Sequence, residues 1–253
     1  MTVARPEATS GAKMVYLIKR RAETSREELI AHWFANHMRG VIDRNLGNRG
    51  TDQPTADHYV ATLFDPRDGA VHPWDGAAKL WYDAPLPRPV QASGVEPYDT
   101  FQQVVEPYWP WATREYVVID GALPLKPLTL NEPFPCTRSG FFKLTFLIAL
   151  KEGGDRQALF DHWLDVHVPN VREVMGKIGG FRYVVSHSLE PDTEPYAGMA
   201  ELYFPNEKGW DDYRAVFEPD GFGDLIDPEA TLRFHSGTAV SYTHLRAHET
   251  VRN

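Results

Sequence analysis

Two short stretches hold the residues best suited to chemistry. In Trp33-Phe-Ala-Asn-His37 and Trp163-Leu-Asp-Val-His167 an indole precedes an imidazole by four residues. That spacing puts each pair on one helix face. Imidazole titrates near neutral pH and suits general acid–base work. Its blander use is structural, packed beside Trp and hydrogen-bonded at a helix end. Tyr59 and Tyr183 begin matching Tyr-Val pairs further along and offer hydroxyls to a developing oxyanion. Tyr183, Val185 and His187 alternate onto one strand face; they read as the polar rim of a half-buried strand, or as lining of the barrel interior. The candidate catalytic residues are His167, His37, Tyr183 and Tyr59, with Trp163, Trp33 and His187 lining the substrate pocket.

Neighbouring residues narrow the chemistry. His32 and His162 lie about 100° round the helix from the tryptophans and are expected to be mostly exposed, His162 within reach of Asp165. His32 and His37, five apart, do not share a helix face, and no third ligand is evident, so no metal is expected. Pro169 cannot donate to the Asp165 carbonyl, which predicts a kink beside His167. The other stretch has Arg39 in that place. No Gly-x-Gly-x-x-Gly, Walker loop or Gly-x-Ser-x-Gly elbow occurs, so no nucleotide cofactor is expected. Trp74, Trp109 and Trp111 sit in predicted loops, where they could roof an apolar pocket.

The positioning elements occur twice. Lys13 to Val41 aligns without a gap on Lys143 to Val171, with nine identities in 29 positions that include both Trp–His pairs. Further on, Gly76-Ala-Ala-Lys-Leu-Trp-Tyr matches Gly198-Met-Ala-Glu-Leu-Tyr-Phe, and Glu106-Pro107 and Ala112-Thr113 match Glu218-Pro219 and Ala230-Thr231. Each copy reads β-α-β-β-α-β. Helix one opens at a capping box, Ser25 to Glu28, in the first copy and at Asp155 in the second. Helix two is expected over about 98–106 and 210–217, and strand four over 114–119 and 232–239. The predicted organisation is a terminus, 1–12; copy one, 13–120; a proline-rich connector, 121–139, with an inert Cys136; copy two, 140–239; and a tail, 240–253. The fold class is α+β. In the ferredoxin-like arrangement one sheet face is covered by helices, and the apolar bare faces of the tandem copies would close an intrachain barrel.

Composition excludes several alternatives. A net charge of −9 makes nucleic acid or an anionic membrane an unsuitable partner. The longest apolar run, 144–150, is far too short to span a bilayer. One cysteine among 253 residues excludes an internal disulfide and fits the cytoplasm.

On the motif His162-Trp163-Leu-Asp-Val-His167-Val-Pro169 and its partner His32-Trp33-Phe-Ala-Asn-His37, the sequence resembles the EthD-type family of dimeric α/β-barrel proteins. The resemblance implies cofactor-independent acid–base chemistry, of oxidoreductase or dehydratase/cyclase type, on a small hydrophobic, aromatic or polyketide-like compound. Alternatives are a non-catalytic small-molecule binder, or a haem-binding barrel with His167 or His37 as axial ligand. The assembly would be a monomeric pseudo-dimer or a homodimer. Residues 240–250 resemble the translated read-through of a sequencing adapter, so residues 241–253 are expected to be foreign, poorly packed and free of any site.

Overall fold

The computed structural model describes residues 4–65, 73–123, 138–190 and 192–243. Most of the connector with Cys136, and residues 244–253, lie outside the described residues. Copy one contains β1 (Ala12–Ile18), α1 (Arg26–Ala31), α2 (Met38–Gly47), β2 (His58–Leu63), β3 (Gly76–Tyr82), α3 (Thr100–Val104) and β4 (Trp111–Asp120). Copy two contains β5 (Arg138–Ile148), α4 (Arg156–His162), α5 (Val168–Ile178), β6 (Arg182–Ser188), β7 (Gly198–Phe204), α6 (Lys208–Val216) and β8 (Leu232–Thr243). The eight strands neighbour one another in the order β1-β3-β2-β8-β5-β7-β6-β4. This is the α+β fold of the tandem ferredoxin-like, dimeric α/β-barrel class. No described helix is long and apolar enough to cross a membrane.

The chain divides into two compact units that do not coincide with the two copies. One comprises Met1–Ser10, Ala112–Pro124 and Ser139–Gly237; the other comprises Gly11–Trp111, Leu125–Arg138 and Thr238–Asn253. The difference lies in the fourth strands. β4 pairs antiparallel with β6, and the end of β8 pairs antiparallel with β2. The ladder sets Ser241, Tyr242 and Thr243 opposite Val60, Tyr59 and His58. Strand four, expected over 232–239, thus runs on to Thr243. The cause is the otherwise unsatisfied edge of β2, whose amides and carbonyls take whatever extended backbone follows Ala239.

Both first helices start as their caps dictate. Ser25 accepts from the Glu28 amide while the Glu28 carboxylate accepts from Ser25, and Asp155 accepts from the amides of Gln157 and Ala158. Each helix is then broken by a π turn, His32–His37 and Trp163–His167. The Met38 and Val168 amides reach back to the carbonyls of Trp33 and Trp163. Pro169 is not the cause, because the turn recurs in copy one beside Arg39, an exposed residue paired with Asp43.

What both turns share is the indole that opens or adjoins them. Trp33 and Trp163 are fully buried and press on the glycines that begin β3 and β7. A Cβ at Gly76 would stand 2.9 Å from the Trp33 ring and 2.5 Å from the Thr62 carbonyl oxygen. At Gly198 the corresponding distances are 2.8 Å to Trp163 and 2.5 Å to Ser186. Only glycine lets the strand come that close.

The sheet faces differ from expectation. Tyr16, Ile18, Tyr59, Leu80 and their counterparts face the helices. The opposite face is mixed: buried Val15, Leu17, Leu147 and Met199 share it with polar and charged residues. It carries buried Lys13, Thr62 and Lys79 in copy one and buried Lys143, Thr145, Ser186 and Glu201 in copy two. Lys143 and Glu201 form an ion pair, and Lys143 also lies 5.2 Å from the centre of the Tyr203 ring. Charges so deeply buried persist only when paired.

Two outcomes follow from these contacts. Gly198→Ala is expected to lower unfolding free energy by about 1–3 kcal/mol, measured in urea, because the indole or the strand must give way. Deleting residues 238–253 strips β2 of one of its two ladder partners. It is expected to lower the melting temperature by about 4 °C or more and to promote self-association on size exclusion.

Candidate functional site

Each π turn delivers its histidine to a carboxylate. His167 Nδ1 lies 2.9 Å from Asp220 Oδ2, and His37 Nδ1 lies 2.6 Å from Asp99 Oδ2. A phenylalanine two residues past each aspartate covers the imidazole. Phe222 stacks on His167 at 4.2 Å, and Phe101 lies 4.3 Å from His37. Asp220 also accepts from the Asn170 side chain at 2.9 Å and from the Phe222 amide at 3.1 Å. Against the cost of its burial, the bonds from His167 and Asn170 hold its carboxyl far below the ordinary range. Bonds from His37 and the Gln102 amide likewise outweigh burial and lower Asp99. An ionised carboxylate can only accept, so Nδ1 carries the proton and Nε2 is left as the basic nitrogen.

The repeat as read from the sequence does not reveal these aspartates, for a definite reason. The identities equate Glu106-Pro107 with Glu218-Pro219, whereas the structure equates Asp99-Thr-Phe101 with Asp220-Gly-Phe222. Backbone bonds fix that register. Glu106 donates to the Lys19 carbonyl as Asp227 does to Ala149, and Arg20 bridges Val105 as Leu150 bridges Ile226. The readable signal is Glu96-Pro97 and Glu218-Pro219, each just before an Asp-x-Phe, displaced by one inserted residue, Tyr98. α3 is consequently the counterpart of the segment after α6, and copy one has no helix in the place of α6.

Each histidine lines a cavity between the helices and its sheet. In copy two the cavity measures about 430 Å³ and is mostly apolar, with walls from Phe146, Ile148, Leu202, Trp210 and Phe217. Tyr183 and Trp163 line it beside His167. In copy one the cavity measures about 210 Å³ and brings together His37, Trp33 and Tyr59. Trp33 donates to the Tyr59 hydroxyl at 2.9 Å, whereas Trp163 Nε1 and the Tyr183 hydroxyl stand outside hydrogen-bonding geometry. Burial raises both tyrosine pKa values, so both hydroxyls stay protonated at neutral pH.

The remaining candidates fall elsewhere. His187 shares a strand face with Tyr183, but that face lies under the helices and His187 does not line the cavity. Phe160 stacks on its ring at 4.1 Å, and Trp163 and Tyr116 lie at 5.0 and 5.1 Å. Its Nε2 has no hydrogen-bond partner among the described residues. His162 does not pair with Asp165, which is bonded to Arg5; it stands 3.8 Å from Asp220. His32 is half-buried and bonds Thr100. Trp109 and Trp111 line neither cavity: Trp111 is buried at the start of β4, and Trp109 sits under Arg88. Among the described residues no group of three His, Cys, Asp or Glu is placed to hold a metal.

The setting of His187 gives a pH prediction. Burial, helped by Arg5 and Arg114, lowers its pKa from 6.5 to about 3. The unfolded chain therefore takes up a proton in that interval which the folded chain refuses, so stability falls as pH drops from 6.5 toward 3. Asp220 adds a second loss only as pH falls past 3.8. In His187→Phe, urea unfolding between about pH 6 and 4 is expected to show a flatter decline than in the wild type.

Comparison with known proteins bears on both copies. Residues 151–231 match the EthD domain family, and no curated protein matches the sequence. Among solved structures, an anthrone oxidase-like protein superposes with a TM-score of 0.53 at 11% identity, covering 94% of this chain and 96% of its own. A candidate monooxygenase from Fusobacterium nucleatum subsp. nucleatum gives 0.47 at 9%, covering 93% and 96%. Chlorite dismutase from Candidatus Nitrospira defluvii, in complex with imidazole, gives 0.49 at 7%, covering 90% and 91%. The first of these shares the fold along nearly the whole chain. The matched segment, 151–231, holds both His167 and Asp220.

Proposed function

We propose that copy two is an oxidoreductase site that works without a nucleotide cofactor, with His167 as general base toward a small, apolar, aromatic compound. The observation that carries this reading is the His167–Asp220 pair on the wall of a 430 Å³ apolar cavity. A cavity of that size accommodates a compound of two or three fused rings. The aspartate fixes the tautomer and stabilises the imidazolium that forms when Nε2 takes a proton. Tyr183, on the same wall, is a hydroxyl donor for the oxyanion of the resulting enolate. A methylene flanked by two aromatic rings that conjugate it to a carbonyl is acidic enough for this base. With dioxygen as the oxidant, that carbon loses two hydrogens and gains one oxygen atom as a ketone, while the second oxygen atom leaves as water. The likeness of the whole chain to an anthrone oxidase-like protein fits this class of substrate. A cytoplasmic location, as a monomeric pseudo-dimer or a homodimer, suits the acidic, single-cysteine sequence.

Oxygen uptake with anthrone as the probe tests the reading. His167→Ala is expected to lower kcat/KM by about 10²–10⁴. Asp220→Asn is expected to lower kcat by about tenfold or more with KM nearly unchanged, because the wrong tautomer is then held. His37→Ala should retain most activity. Equal losses at His37 and His167, or full activity in His167→Ala, would sink the proposal. A Soret band in the purified protein would replace it with haem binding.

A further inference from the structure

The cavity of copy one is a different kind of site. Five tyrosines (Tyr16, Tyr59, Tyr82, Tyr98 and Tyr108) line its 210 Å³. Their hydroxyls lie close enough that the other four all influence Tyr16 electrostatically. The Tyr59 oxygen accepts from Trp33 and the Tyr108 oxygen accepts from Gln102, so each keeps its own hydrogen to donate. None of the five donates to an acceptor among the described residues. Burial raises Tyr82 to about 12 and raises Tyr16, Tyr59 and Tyr108 as well. These groups are donors throughout the physiological range.

A cation completes the set. Arg44, on α2, lines the same cavity and lies 4.8 Å from the centre of the Tyr98 ring. It has no carboxylate partner among the described residues, whereas Arg214 at the cavity of copy two is bonded to Asp211. Asp99 does not line the copy-one cavity, and its charge is tied to His37 and the Gln102 amide. The counterparts in copy two remove these features: Phe146 stands for Tyr16, Phe204 for Tyr82 and Val174 for Arg44. A duplicate that merely lost its activity has no reason to gather phenols and a guanidinium.

We propose that the copy-one cavity is a second binding site, for a small aromatic monocarboxylate of single-ring size. Phenol hydroxyls and one guanidinium match a planar monoanion. Phe101, Trp33 and the tyrosine rings supply flat apolar walls for the ring. The volume, half that of the copy-two cavity, is below the range for drug-sized ligands and sufficient for one ring.

Calorimetric titration of the whole protein with benzoate, and with benzamide as its uncharged isostere, tests the proposal. Benzoate is expected to bind at one site, about tenfold or more tighter than benzamide. Arg44→Gln should weaken benzoate about tenfold and leave benzamide unchanged. Tyr16→Phe should weaken benzoate several-fold. Arg214→Gln, in the other cavity, should change neither. Equal binding of the two probes, indifference to Arg44→Gln, loss with Arg214→Gln, or no benzoate binding below about 10 mM would each overturn it. None of these readouts depends on turnover at His167, so this site and the proposed oxidoreductase site stand or fall separately.

Discussion

Everything at both sites depends on an indole laid against a glycine. Trp33 and Trp163 sit where a methyl group on Gly76 or Gly198 would collide with ring and carbonyl together. Seating a ring that large against the strand occurs together with the widened π turn that follows each tryptophan. A π turn inserts one extra residue into the helix and rotates what comes after it. His37 and His167 close those turns and lie beside an aspartate and a phenylalanine that ordinary helical spacing would not bring to them. The His–Asp–Phe geometry thus accompanies the packing of the core and is reached through one backbone irregularity.

On that shared scaffold the two copies have diverged in their walls. The Trp, the His, the Tyr on the second strand and the Asp-x-Phe recur in both. What differs is the lining: Tyr16, Tyr82 and Arg44 against Phe146, Phe204 and Val174. These positions sit on the same strands and helix in each copy, so substituting them changes the chemistry of a cavity without disturbing the elements that form it. The apolar cavity is also the larger, at 430 Å³ against 210 Å³. A large hydrophobic chamber beside a base favours reaction of a poorly soluble ring system; a small one rich in hydroxyls favours recognition of charge.

Much of this architecture is legible in the amino-acid sequence. The repeat, the helix starts at Ser25 and Asp155, the order of the strands and the placing of each Trp–His pair on the first helical segment all come from local patterns with local physical causes. Three features do not show there. The carboxylates are hidden because an insertion at Tyr98 shifts the register of the second half of the repeat, so that accidental Glu-Pro and Ala-Thr identities align the wrong residues. The π turns have no signature of their own, and Pro169 points to the right place for the wrong reason. The polar part of the mixed sheet face is hidden because Lys143 and Glu201 lie diagonally across the β5–β7 ladder, and become visible as partners only once those strands are paired.

The traded fourth strands bear on how the molecule comes into being on the ribosome. β2 is synthesised early, yet one of its ladder partners is the last described segment, 238–243. The first copy thus emerges with an open edge that nothing local closes, and it waits through nearly the whole of the second copy's synthesis. Contacts separated by so much chain are slow to find. The duplication therefore links the maturation of the two halves in time: the compact unit that holds β2 is not complete until strand four of the second copy has been made.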